Sequence, residues 1–265
     1  MGVRPAVKKI LLLDYDHTLY PSTLFTLKAV DDRINLYIRT YLGMTSDEAD
    51  ALRIHLWDTY GTTLKGLEEL HGVEREHYCD FIHAIEAEHL PPPDPGLQAW
   101  LSRMPHPFYI FTNARMDWAV RGLKAMGLGG MLPEAMVAEA AVAAEAAVAA
   151  EAAVAAEAAV AAVNEAAGNF FRGRRLDGIF DIAFMDWEGK PNAPAYAKVD
   201  AHLRARHGKN IRIHFADDRQ DNLETARSHG WSTIWIAPHT APVVVGDEFD
   251  RVVSSLTRLD PESLD

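Results

Sequence analysis

Apolar residues in this chain fall into two kinds of grouping. Short dense runs end in small polar or acidic residues, and longer stretches place apolar residues at helical spacing. The first dense run, Ile10-Leu11-Leu12-Leu13, leads straight into Asp14-Tyr15-Asp16. A run of that length closed by polar groups predicts a strand buried on both faces. Similar runs occur at 108–113, 182–186, 211–218 and 232–236. Helical patterns separate them, at 116–126 before Gly127, near 194–206 and near 222–229. This alternation predicts an α/β fold, a doubly wound parallel sheet with helices on both faces.

Residues 22–90 interrupt the alternation. Leu24, Leu27, Ile34, Tyr37, Ile38 and Tyr41 recur at helical spacing until Gly43. Thr45-Ser46-Asp47-Glu48 is a capped helix start, and Leu52, Leu56, Trp57 and Tyr60 carry that helix to Gly61. Leu64, Leu67 and Leu70 predict a third helix, and a fourth is expected over roughly 74–89. Pro91-Pro92-Pro93-Asp94-Pro95 then forms a stiff linker. The expected organisation is an α/β core from 1–20 and 93–265, with a small helical cap, 21–92, inserted after the first strand.

A tandem repeat lies within an insertion at about 134–167. From 138 to 161, Ala-Glu-Ala-Ala-Val-Ala recurs, with Glu139, Glu145, Glu151 and Glu157 six apart. Ala and Glu favour a helix. Six residues turn a helix by about 600°, so Glu and Val spread around the whole cylinder and leave no apolar stripe. The expectation is a surface insertion without a part in the chemistry.

Composition narrows the partners. The 265 residues are 48% hydrophobic and 24% charged, with a formal net charge of −12. That balance argues against a nucleic-acid partner, which needs a basic footprint, but allows a small anionic substrate at a local positive site. The single cysteine, Cys79, excludes an intrachain disulfide. No run reaches the ~20 apolar residues of a membrane span, and the first residues are too few and too polar for a signal peptide. The expectation is a cytoplasmic protein, monomer or homodimer, with no membrane or nucleic-acid partner.

The chemistry collects at the strand ends. The first strand ends in Asp14 and Asp16, the second in Thr112-Asn113, and a later one in Asp217-Asp218. Lys190-Pro191 lies four residues beyond Asp186. Parallel strands bring these ends to one edge, where open α/β sheets hold their ligands. Four acids, one ammonium, one hydroxyl and one amide suit a hard cation such as Mg²⁺ beside an anion. Phosphoryl transfer needs that pair.

The motifs Asp14-Tyr15-Asp16-His17-Thr18, Thr112-Asn113, Lys190-Pro191 and Asp217-Asp218, set around a helical insert, resemble the haloacid dehalogenase superfamily of aspartate-nucleophile phosphatases. Thr18-Leu19-Tyr20-Pro21 and the stretch 60–67 (YGTTLKGL) resemble its pyrimidine 5′-nucleotidase branch, although His17 stands where the family more often has Asn. The resemblance implies that Asp14 attacks phosphorus and that Asp16 protonates the leaving oxygen and later activates water. It implies that Mg²⁺ is held by Asp14, the backbone carbonyl of Asp16, Asp218 and Asp217, with the direct ligand of the last pair left open. Thr112, the Asn113 amide and Lys190 would bind the phosphoryl oxygens. Superfamily members that cleave carbon–halogen bonds lack the second carboxylate, so Asp16 points to a phosphate monoester. The substrate expected is a small phosphorylated metabolite such as a nucleoside 5′-monophosphate, with a sugar phosphate or a phosphomutase reaction as alternative. A catalytically idle scaffold is the alternative of another class. Asn222 is expected to orient the metal acids, His17 to support them, and His214 to be core. The cluster of Arg172, Arg174 and Arg175 is expected in a solvated loop.

Overall fold

A computed structural model describes residues 7–138, 140, 175–238 and 248–264. Six parallel strands form one sheet: β1 (Lys8–Leu13), β2 (Phe108–Phe111), β3 (Gly178–Phe180), β4 (Ile211–Asp217), β5 (Ser232–Ile236) and β6 (Arg251–Val253). Their order is β3-β2-β1-β4-β5-β6. The expected α/β class, a doubly wound parallel sheet, is therefore what the chain adopts. Leu13 is in register with Ile110 of β2 and Ala216 of β4, so the three motif-bearing strands end level with one another.

The dense apolar run of β1 is dense because both faces of this central strand are covered. Leu11 and Leu13 face one core, with α5 (Pro95–Ser102) and α6 (Met116–Ala125). Ile10 and Leu12 face the other, with α7 (Ala193–His207) and α8 (Gln220–Ser228). Four further helices follow β1: α1 (Phe25–Leu42), α2 (Ser46–Tyr60), α3 (Thr63–His71) and α4 (Arg75–His83). They bury a third apolar cluster of their own around Tyr37, Ile38, Leu56, Leu67 and Ile82. Thr45 and Glu48 cap α2 reciprocally, and Gly43, Gly61 and Gly72 end three of these helices in left-handed conformation.

Four expectations need correction. Residues 182–186 are not a strand. β3 stops at Phe180 because the Asp181 carboxylate accepts the backbone N–H groups of Phe184 (2.8 Å) and Met116 (3.0 Å), curling the chain into a turn. Ile182 and Met185 are still buried, so the apolar run marks core without marking strand. The fourth insert helix ends at His83 rather than near 89, and a separate short turn covers Ala87–His89. Helix α5 follows directly from the proline segment, with Pro95 in its first turn and Asp94 accepting the Leu97 N–H at 2.9 Å. Strand β6 was not anticipated: its three residues are all partly exposed and make no dense run.

Almost all of the Ala-Glu-Val repeat lies outside the described residues, as do Arg172 and Arg174, whereas Arg175 is described and exposed. Ala140 is described, and it is buried in the core beside Met136 and Val137. The start of the repeat is therefore anchored to the core.

Candidate functional site

The level strand ends bring three carboxylates together. Asp14, one residue past β1, donates its backbone N–H to Ala216 at 2.9 Å, which fixes it beside the end of β4. Asp14, Asp217 and Asp218 each offer an oxygen within 4.8 Å of the others. Lys190 joins them: its ammonium donates to Asp14 Oδ1 at 2.6 Å and to Asp217 Oδ2 at 2.7 Å. Lysine and both carboxylates are buried, Lys190 at 2% exposure and Asp217 at 0%.

The two acids of the β4 end are held differently. Asp217 is saturated, accepting from Lys190, from the Arg219 backbone N–H at 2.8 Å, and from Asn222 Nδ2 at 3.0 and 2.9 Å on its two oxygens. Asp218 keeps a fifth of its side chain exposed and, among the described residues, its carboxylate pairs with His17 Nδ1 alone, at 3.2 Å. Burial pushes the Asp14 and Asp217 carboxyls up from the ordinary range, with Lys190 opposing and Asp218 adding to the rise. Burial pulls the Lys190 ammonium down, but Asp14 and Asp217 more than offset it and leave it raised. His17 follows the same logic: burial lowers it, and its bond and charge contact with Asp218 raise it further.

The groups expected to meet an anion stand beside this cluster. Thr112 is 1% exposed, and its hydroxyl accepts the Ala114 N–H at 3.0 Å. Asn113 ties Lys190 down from both sides: its amide donates to the Lys190 carbonyl at 2.8 Å, and its oxygen accepts the Lys190 N–H at 2.7 Å. Gly189 allows that clamp, since it has φ +63° and a Cβ there would stand 3.2 Å from the Asn113 oxygen and 3.0 Å from Ile182. The insert reaches the same loop. A Cβ on Gly61 would lie 2.9 Å from the Pro191 ring, so only glycine lets α2 end here.

The carboxyl group of Asp16 stands outside the three-acid cluster. Its Oδ1 accepts the Tyr20 hydroxyl and, at 3.4 Å, the Trp118 indole N–H. Burial raises this carboxyl, and the two donors partly counter the rise. Tyr20, Trp118 and the helical residues that meet the core were missed as site residues. Lys65 pairs with Glu188 at 2.9 Å and Arg115 with Asp80 at 2.6 Å. The Arg219 guanidinium lies 3.8 Å from the centre of the Trp57 ring. Trp57, Asp218, Arg219, Asp221 and Trp235 line an open cleft of about 570 Å³ beside the acids. Of these, Trp57 and Trp235 show only apolar spacing in the sequence, which reads equally as core, whereas Asp218 is one of the acids expected at the site.

No family model matches the chain. Its structure is similar to that of an L-2-haloacid dehalogenase, at 12% identity over 96% of this chain and 99% of that one, with a TM-score of 0.51. It is also similar to a haloacid dehalogenase-like family hydrolase from Streptococcus pneumoniae, at 14% identity over 93% of each chain, with a TM-score of 0.49. A defluorinating L-2-haloacid dehalogenase aligns at 12% identity over 96% of this chain and 94% of that one, with a TM-score of 0.48. The first of these likenesses shows the fold alone: the chain shares the α/β fold of that L-2-haloacid dehalogenase.

Proposed function

We propose that this chain, built on the haloacid dehalogenase-like fold, is a Mg²⁺-dependent phosphatase for a small phosphate monoester, with nucleoside 5′-monophosphates the first candidates. One observation carries the reading: three carboxylates gather within 4.8 Å of one another, with a single lysine to balance them. Displacing a halide from carbon needs one carboxylate and no cation, whereas phosphoryl transfer needs positive charge around the phosphoryl oxygens.

The donors fit the ion. They are hard oxygens, as Mg²⁺ prefers, and the cluster keeps a net charge of −2 after Lys190 is counted. Asp14 and Asp218 are the proposed direct ligands, with the Asp16 carbonyl. Asp218 is preferred to Asp217 because it is more open and less satisfied. Bound there, Mg²⁺ would neutralise charge building on the phosphoryl oxygens. Lys190, Thr112 and the Asn113 amide would hold those oxygens and align phosphorus.

The protein's own groups then carry two displacements. In the first, an Asp14 carboxylate oxygen bonds to phosphorus as the bond to the leaving oxygen breaks, and Asp16 gives that oxygen its proton. In the second, Asp16 takes a proton from water, the water oxygen bonds to phosphorus, and the Asp14–phosphorus bond breaks. Asp14 and protonated Asp16 are restored, and inorganic phosphate is the product. Helices α1–α4 act as a cap that covers the site and keeps bulk water out.

Phosphate release from p-nitrophenyl phosphate, measured with Mg²⁺ and with EDTA, tests the reading beside chloride release from 2-chloropropionate. Metal-dependent phosphate release without chloride release is expected. Chloride release without phosphate release would overturn it.

A further inference from the structure

Arg115, the residue that caps α6, and Trp118 and Arg121 on its first turns meet the end of cap helix α4. The three are spaced three apart, which brings them to one side of the helix start. Arg115 donates to Asp80 at 2.6 Å, and Arg121 donates to the His83 carbonyl at 3.0 Å and to the Ile85 carbonyl. Between these clamps the His83 ring stacks on the Trp118 indole, with centroids 4.8 Å apart and planes 9° from parallel. The far side of the indole arrangement is the site itself, because the Trp118 N–H points at Asp16 Oδ1.

The His83 ring contributes through its face. Its Nδ1 is enclosed and makes no hydrogen bond among the described residues. Burial, with Arg115 and Arg121 nearby, holds the ring down at about 3, so it is neutral at working pH. A neutral ring with an idle polar edge, stacked almost parallel on an indole, is suited to fixing that indole's plane. Tyr20 completes the arrangement: it is 3% exposed, and its hydroxyl donates to the same oxygen of Asp16.

We propose that Tyr20 and Trp118 are positioning residues for Asp16, and that His83 of the cap sets Trp118 through the ring stack. The two donors hold Oδ1 and turn Oδ2 toward the scissile oxygen. The proton of Asp16 then reaches the leaving oxygen along a fixed line. The alignment of the acid therefore depends on the end of α4 being seated on α6. This inference rests on the reading of Asp16 as acid and base.

The test compares a poor leaving group with a good one, because a good leaving group needs little protonation. Turnover of an alkyl phosphate and of p-nitrophenyl phosphate is measured for Trp118→Phe, Tyr20→Phe, His83→Ala and His83→Phe, with thermal unfolding as a check on folding. Both rates should fall in Trp118→Phe and Tyr20→Phe, and the alkyl rate should fall at least about tenfold further. His83→Ala should shift the ratio the same way, by about threefold or more, and His83→Phe, which keeps a flat ring, should restore it. Equal losses on both esters in folded Trp118→Phe and Tyr20→Phe would mean a merely structural role and would overturn the proposal. A second readout does not need turnover. The six tryptophans give a simple indole N–H spectrum, and the Trp118 signal is the one missing in Trp118→Phe. It should move in Asp16→Asn and in His83→Ala. If it moves in neither, the positioning role is wrong. If it moves while wild-type protein hydrolyses neither ester, the phosphatase reading fails and the placement of Asp16 stands.

Discussion

The two sides of the site are held together by different physics. On the sheet edge, charge holds charge: Lys190 bridges Asp14 and Asp217, and Asn222 and the Arg219 N–H saturate what remains. On the cap side, rings and hydroxyls hold Asp16, through Tyr20, Trp118 and the His83 stack. The first arrangement is buried and over-determined. The second depends on packing between two units, each with its own core. Asp14, the proposed nucleophile, is thus fixed by the fold of the sheet, and Asp16, the proposed acid, by the docking of helices.

The largest expected effect lies on the charged side. Asp14→Asn should lower kcat/KM by about a thousandfold or more while leaving thermal unfolding nearly unchanged, because an amide cannot act as the nucleophile. Residual activity above a few per cent would show that the sheet edge does not supply the nucleophile.

Lys190→Met separates structure from chemistry on the same side. Removing the ammonium leaves two buried carboxylates without a countercharge, which should cost about 3–5 kcal/mol in EDTA. Added Mg²⁺ should recover part of that loss in a thermal melt. A melt insensitive to both the substitution and the ion would mean that the cluster is not electrostatically strained.

Gly122→Ala probes the aromatic side. A Cβ there would stand 1.5 Å from the Tyr15 hydroxyl, and Tyr15 is fully buried against α6. Overpacking should destabilise the fold by about 3 kcal/mol, read from denaturant unfolding. A loss well below 1 kcal/mol would mean that the α6 side yields easily.

His214 in β4 is a control buried in the sheet away from both sides, at 4% exposure. Burial, with Lys9, Arg212, Arg251 and His106 around it, lowers its pKa to about 4. A lowered histidine stabilises the fold above its ordinary value of about 6.5 and loses that stability as pH falls toward 4. Between pH 7 and pH 5 this one group should cost the wild type about 2 kcal/mol, and His214→Phe should remove that part of the pH dependence. Parallel stability curves for the two proteins would contradict this.

The smallest effect is expected from the repeat. Deleting residues 141–160, which spares the buried Ala140, should leave kcat/KM within about threefold, since the length of chain between two fixed ends changes closure entropy only weakly. A tenfold drop would assign the segment a part in cap docking or assembly.

The same contrast explains what the sequence disclosed. Asp14, Lys190, Asp217 and Asp218 were legible because acids and a lysine at the ends of apolar runs are chemically conspicuous, and parallel strands must bring those ends together. Asn222 and His17 were legible as neighbours of those acids. Trp118 lies 102 residues from Asp16, and nothing local separates its helical spacing from ordinary core packing. His83 is hidden for the same reason, since the helical pattern continues past it while the helix itself ends there. The false strand at 182–186 arose because burial alone makes a dense apolar run, while Asp181, which ends the strand, looked like one more acid.

The central claim is that Asp14 is the group to which phosphorus becomes bonded. Brief reaction of the Asp16→Asn variant with p-nitrophenyl phosphate and Mg²⁺, acid quench and peptide mass mapping tests it directly, since slowed water activation lets the acyl phosphate accumulate. The account predicts one added phosphoryl group on the peptide carrying Asp14, absent when EDTA is present. A phosphoryl group on any other residue, or none on Asp14 while the ester is still turned over, would contradict it.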